Sequence, residues 1–186
     1  MPDALRLFVG LDVGPIWTER LSATAARAAK QVGSSGRLVR PELYHVTVVF
    51  LGNQPADAVQ AIGAAIVDAA AQVAPFALRL RELLRLGRHE RGALVAGVDD
   101  PSGALQRFRT HLDVELARRS IAFDAKSLVP HVTLIRPRKG AGILPLPPAD
   151  LRSTPSLTVH EVALVQSTIS QTGPRYDSIF TARFGS

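Results

Sequence analysis

The sequence predicts an α+β protein, and three observations carry that reading. Seven segments are β-branched or alternate apolar with polar residues, and three others repeat apolar residues at helical spacing. Most strands follow one another as hairpins, so two antiparallel or mixed sheets are expected, with helices outside. The chain has 186 residues, 46% hydrophobic and 20% charged. It therefore has ample apolar surface for a core, and residues 1–186 read as one domain built from two halves.

Leu5–Leu11 is the first strand, with Leu7, Val9 and Leu11 alternating against Phe8 and Gly10. After Gly14-Pro15, the spacing of Trp17, Leu21, Ala25, Ala28 and Val32 predicts a helix over 17–32, stopped by Gly33-Ser34-Ser35-Gly36. Leu43–Leu51 reads as a strand between Pro41 and Gly52-Asn53, and the Ala-rich stretch Asp57–Ala71 as a helix. Phe76–Leu84 and Leu94–Val98 form a hairpin whose turn spans 88–92. The third helix is Pro101–Arg119, with Pro101 at its start and a stripe of Leu105, Phe108, Leu112 and Leu116. Leu128–Ile135 is a further strand, and 137–155 a long Pro/Gly-rich loop. Leu157–Ser167 and Tyr176–Phe184 close the chain as a hairpin turning at 171–174.

Cysteine is absent. Disulfide frameworks, thiol nucleophiles and thiolate metal sites are therefore excluded, and oxygen and nitrogen side chains must carry the chemistry. Charge or proline interrupts every apolar run before the roughly 18 residues a membrane span needs. With no export signal visible, the cytoplasm is the expected compartment and no membrane partner is expected. Basic residues outnumber acidic ones by six, 22 against 16. Nineteen of the 22 are Arg, whose planar fork suits phosphate, although a biased genome composition also replaces Lys by Arg. The balance favours an anionic partner.

Two of the five histidines share a context: His45-Val46-Thr47-Val48 and His131-Val132-Thr133-Leu134. With ten threonines in the chain, two such His-x-Thr pairs arise by chance in roughly 3% of cases. Positions i and i+2 of a strand point the same way, so each His shares a face with its Thr while the intervening apolar residues anchor the strand. Imidazole titrates nearest neutrality, so a pair facing one cleft suits a reaction that needs a base and an acid together. The stiff threonine hydroxyls suit phosphoryl oxygens. His89, His111 and His160 lack the motif and are read as structural.

The paired motifs, 86 positions apart, resemble the two-histidine (2H) phosphoesterase superfamily, and within it the prokaryotic RNA 2′,3′-cyclic phosphodiesterases, also called 2′-5′ RNA ligases. Arg6–Asp12, Pro41–Gly52, Pro130–Arg136, Val165-Gln166-Ser167 and Arg175-Tyr176 carry the likeness over most of the chain. The resemblance implies a bilobal fold with one His-x-Thr-x strand per lobe facing a shared cleft. It implies hydrolysis of an RNA-terminal 2′,3′-cyclic phosphate to a 2′-phosphate. His131 would be the base that activates water, and His45 the acid that protonates the 3′ oxygen. Thr47 and Thr133 would hold phosphate oxygens, and Arg136 and Tyr176 are further candidates for substrate contact. No cofactor or metal is implied, the partner is RNA with a cyclic phosphate end or a small cyclic nucleotide, and a monomer is expected.

The sequence also departs from the family. A basic residue often stands four positions after the first His, where this chain has Val49, and an aromatic often follows the Arg before the motif, where Leu38 follows Arg37. Arg136 matches the family, yet strict alternation turns it away from His131 and Thr133 unless the strand bends. Arg37, Arg40, Arg138 and Lys139 flank the motifs. No Gly-Lys dipeptide, Lys-x-Asp-Gly or His-Glu-x-x-His occurs, which rules out a P-loop ending in Gly-Lys-Ser/Thr, argues against a ligase that forms a lysine adenylate, and leaves the chain without that metal motif. The alternatives are an ATP-independent ligase in which a 5′-hydroxyl replaces water, a phosphodiesterase of small cyclic nucleotides, and an inert RNA-binding module.

Overall fold

The computed structural model describes residues 4–87, 92–171 and 173–185. The chain runs β1 (Ala4–Asp12), α1 (Gly14–Val32), β2 (Gly36–Leu38), β3 (His45–Pro55), α2 (Ala58–Ala70), β4 (Phe76–Leu86), β5 (Ala93–Asp99) and α3 (Ala104–Arg118). It closes with β6 (His131–Pro137), β7 (Leu157–Val159), β8 (Glu161–Ser170) and β9 (Gly173–Arg183). None of the described helices is long and apolar enough to cross a membrane.

The α+β class is as expected, and every strand pair among the described residues is antiparallel. The two sheets read from the sequence are the halves of one hydrogen-bonded path in the order β7-β4-β5-β6-β3-β1-β8-β9. The halves meet where β3 and β6 pair at Val46–Val132, and both valines are 0% exposed. From Leu134 onward the same edge of β6 is taken by β2, through the pairs Leu38–Ile135 to Gly36–Pro137 and the bond from Val39 N–H to Leu134 O. The sequence reading missed β2, a three-residue strand hidden behind a glycine-rich stop. A Cβ on Gly36 would lie 2.4 Å from Val32 and 2.6 Å from Ile135, so only glycine lets the chain pass between them.

The apolar stripes of the helices meet the faces of the sheet that carry Val46, Val48 and Val132. Helix α1 packs on β2 and β6, α2 packs on β9, β3 and β8, and α3 packs on α2. Trp17 is buried and its indole N–H donates to Pro155 O at 2.9 Å, pinning the long loop against α1.

Several boundaries differ from expectation, four of them for identifiable reasons. Pro15 belongs to the first turn of α1, where its missing N–H costs nothing. Pro101 precedes α3 instead of starting it. The helix begins at Ala104 because the Asp100 carboxylate accepts from the N–H groups of Ala104, Leu105 and Gln106. The segment 157–167 is split at His160, since Val159 and Val162 are both buried and a single alternation cannot serve both. The strand expected from Leu128 starts only at His131, after Pro130, which has no N–H to give a ladder. The expected 88–92 turn lies, except for Gly92, outside the described residues, as does Thr172 of the 171–174 turn.

Candidate active site

Each motif histidine is the first residue of its strand, His45 of β3 and His131 of β6. Antiparallel pairing about Val46–Val132 sets His45 across from Thr133 and Thr47 across from His131. The four polar side chains thus occupy the corners of one patch, with the histidines on a diagonal. In a regular sheet that diagonal measures roughly 7–8 Å. Two depressions lie on either side of the valine pair: His45, Thr133, Arg136 and Tyr176 line one, and Thr47, His131, Phe50 and Lys126 the other.

Both imidazoles are oriented by the same device. Nδ1 of His45 donates to Leu43 O at 2.7 Å, and Nδ1 of His131 donates to Val129 O at 2.6 Å, in each case the carbonyl two residues earlier. A carbonyl only accepts, so in the neutral ring the proton sits on Nδ1 and the lone pair on Nε2. Nε2 of His45 is 2.9 Å from Oγ1 of Thr47. Among the described residues Nε2 of His131 has no protein partner.

Just past each threonine the strand bulges. The β1–β3 register passes from Gly10–Thr47 to Val9–Val49, skipping Val48. The β5–β6 register passes from Val95–Thr133 to Leu94–Ile135, skipping Leu134. An extra residue reverses the alternation that follows. Val48 and Val49 are consequently both buried, as are Leu134 and Ile135. Val49, at 2% exposure, lies in the core, and Phe50 takes the outer face at 53%. Arg136, five positions after His131 as Phe50 is after His45, returns to the cleft beside His45 and Thr133. Strict alternation turned Arg136 away; the bulge supplies the bend it needed.

Around His45 the aromatic rings close in. The Phe8 ring lies 4.8 Å from the imidazole and the Tyr176 ring meets it edge-on at 5.2 Å, with Phe8 and Tyr176 also 5.2 Å apart. Tyr176 reaches the cleft from β9. Sequence reasoning did not single out Phe8, because an aromatic alternating with core residues on a first strand reads as packing. Arg37 and Arg40 line the same depression. Arg40 is engaged, donating to Pro174 O at 2.7 Å and facing Glu42 at 3.4 Å, whereas Arg37 is exposed and pairs across strands with Arg136. Arg138 and Lys139 follow β6 on the exposed surface. His111 lies on α3 and His160 at the β7–β8 break, both away from the cleft lining, and His89 lies outside the described residues.

Burial pushes both histidines below the ordinary imidazole range. For His45 desolvation is the main cause, opposed by the bond to Leu43 O and reinforced by the positive charges of Arg136 and His131. For His131 desolvation again leads, opposed by Val129 O and reinforced by Arg136. One guanidinium thus acts on both rings, which places all three groups in a common field. Two imidazoles on opposite corners can take a proton on one side of an atom lodged between them and give one on the other. The hydroxyls and Arg136 are suited to anionic oxygens at that atom. Among the described residues no group of three or more His, Asp or Glu side chains is placed to hold a metal.

The family model described as the 2′-5′ RNA ligase superfamily matches residues 15–168. An RNA 2′,3′-cyclic phosphodiesterase of Geobacillus stearothermophilus is 32% identical over 147 residues, covering 76% of this chain and 45% of that protein. The chain therefore spans less than half the length of that relative. A Bacillus subtilis (strain 168) protein of the same name is 22% identical over 97% of both chains. Among solved structures, E. coli LigT complexed with 3′-AMP superposes with a TM-score of 0.79 at 22% identity, covering 99% of this chain and 100% of that one.

Proposed function

Because this chain belongs to the 2′-5′ RNA ligase superfamily, we propose that it hydrolyses the 2′,3′-cyclic phosphate at an RNA end to a 2′-phosphate. The observation that carries the reading is the diagonal of His45 and His131 about the Val46–Val132 pair. Displacement at phosphorus puts the entering and leaving oxygens on opposite sides, and a diagonal of imidazoles serves both sides at once.

His131 takes a proton from water as its oxygen bonds to phosphorus. The bond from phosphorus to the 3′ oxygen breaks, and His45 gives that oxygen a proton. The products are a 2′-phosphate monoester and a 3′-hydroxyl. The assignment of base and acid follows the family resemblance. It is supported by the Nε2 atoms: that of His131 has no protein partner among the described residues, while that of His45 already shares a hydrogen bond with Thr47. Thr47, Thr133 and Arg136 hold the non-bridging oxygens, whose charge shifts toward them as the fifth bond forms. Tyr176 and Phe8 wall the His45 side, and exposed Arg37, Arg138 and Lys139 offer the strand a cationic approach. All these groups come from one chain, so a monomer suffices.

The test is to incubate the purified protein, without metal or ATP, with an oligoribonucleotide ending in a 2′,3′-cyclic phosphate and identify the product. A 2′-phosphate is expected. A 3′-phosphate would reverse the leaving group, and efficient joining to a 5′-hydroxyl strand would make ligation the main activity.

A further inference from the structure

A buried guanidinium lies beneath the cleft and belongs to neither motif. Arg109 of α3 is 5% exposed, and its fork points in three directions. Nε donates to Asp113 Oδ1 at 2.6 Å, Nη1 to Val48 O at 2.9 Å and Nη2 to Asp124 O at 2.9 Å. The three acceptors are not equivalent in their place in the fold. Val48 is the bulged residue directly after Thr47, and Asp124 opens the segment that leads through Val129 to His131. Arg109 also lines the depression shared by Thr47 and His131.

The sheet explains why such a residue is needed. Beyond Val46–Val132 the strands β3 and β6 part, which opens the cleft and deprives the β3 edge of a neighbour. On the far side of that pair β2 covers the edge of β6. On this side the carbonyls of Val48 and Phe50 are met by Arg109 and by the Asp124 N–H at 2.8 Å. A buried carbonyl has no water to turn to, so the guanidinium stands in for a missing strand.

We propose that Arg109 is a positioning residue: by bonding the backbone of both motif-bearing segments it sets Thr47 and His131 at their working separation. This rests on the phosphodiesterase reading of the site. A planar fork fixed by Asp113 serves two carbonyls at defined angles, which the single ammonium of lysine cannot do. A displacement of about 1 Å between catalytic groups costs roughly 10²-fold in rate.

The experiment compares the unaltered chain with Arg109→Lys and Arg109→Ala on RNA ending in a 2′,3′-cyclic phosphate, at a temperature where circular dichroism shows each folded. Both variants are expected to lose roughly 10²-fold in kcat, with KM changed by less than about threefold, since the loss falls on the transition state. About 10 mM guanidinium ion, far below the molar range that unfolds proteins, is expected to restore part of the kcat of Arg109→Ala, while equal urea does not. Imidazole NMR signals of His131 are expected to move in Arg109→Lys while those of His160 stay. A kcat for folded Arg109→Lys within threefold of the unaltered chain, a loss confined to KM, or unmoved His131 signals would each overturn the proposal. Lack of turnover by the unaltered chain would count against the phosphodiesterase reading alone, because the NMR comparison tests positioning without activity.

Discussion

Nε2 of His45 and Oγ1 of Thr47 stand 2.9 Å apart on one face of β3, so the hydroxyl is tied to the imidazole before any substrate arrives. That bond gives the threonine a direction as well as a place. Replacing Thr47 by valine keeps the β-branched shape and removes the oxygen. The expected result is a kcat roughly 10²-fold lower, the usual cost of one donor to a developing charge, with a melting temperature within a few degrees of the parent. Steady-state kinetics and a thermal melt check both halves; an unchanged kcat would remove Thr47 from phosphate binding.

The pH dependence follows from the environment of the rings. Both histidines titrate below the ordinary imidazole range, so in the proposed mechanism the pH at which the base sheds its proton and the pH at which the acid loses its own both lie on the acid side of about 6.5. A bell-shaped profile of kcat/KM centred below pH 6.5 is expected. Arg136 depresses both rings, so Arg136→Gln is expected to move the bell to higher pH while lowering its height. A profile that keeps its centre would show that the guanidinium does not act on the histidines.

The same shifts carry a consequence for stability. A histidine held below its unfolded value binds fewer protons folded than unfolded, so stability is fully present above the unfolded value, near 6.5. It falls as the pH drops from there toward the folded values. Chemical denaturation between pH 7.5 and pH 5, roughly the window around imidazole titration, is expected to show this loss, and His45→Gln is expected to lessen it. An equal slope in parent and variant would contradict the burial of His45.

Gly10 supplies a packing test. A Cβ there would lie 3.1 Å from the Phe8 ring and 3.2 Å from Val46 O, and Phe8 in turn lies 4.8 Å from His45. Gly10→Ala is expected to press the ring toward the imidazole. The expected cost is about 1–3 kcal/mol of stability, the range for overpacking, with a lower kcat. Denaturant titration beside kinetics checks it; a variant equal to the parent in both would mean that Phe8 has room to yield.

Much of this arrangement was legible in the chain because strands and helices write their periods locally. Alternation located β1 and β4, β-branched composition between turn residues located β3, hairpin pairing located β5, and the Trp17–Val32 stripe located α1. The repeated His-x-Thr pattern put both pairs of side chains on common faces, and the structure brings all four to one patch. Tyr176 and Arg136 also arrive there. What stayed hidden depends on partners distant in sequence. The bulges at Val48 and Leu134 arise from pairing with β1 and β5, so neither the burial of Val49 nor the return of Arg136 follows from β3 or β6 alone. β2 exists only because β6 offers an edge, and nothing around Arg109 distinguishes it from the other helix arginines. Its fork finds Val48 and Asp124 only after α3 docks.

The most direct measurement is the pH profile of kcat/KM for His45→Ala and His131→Ala on the cyclic-phosphate RNA. Each variant is expected to retain its fold, to lose roughly 10²- to 10⁴-fold in rate, and to lose one limb of the bell: the acid limb without His131, the basic limb without His45. Parental rates in both variants, or a bell that survives intact in each, would contradict catalysis by this pair.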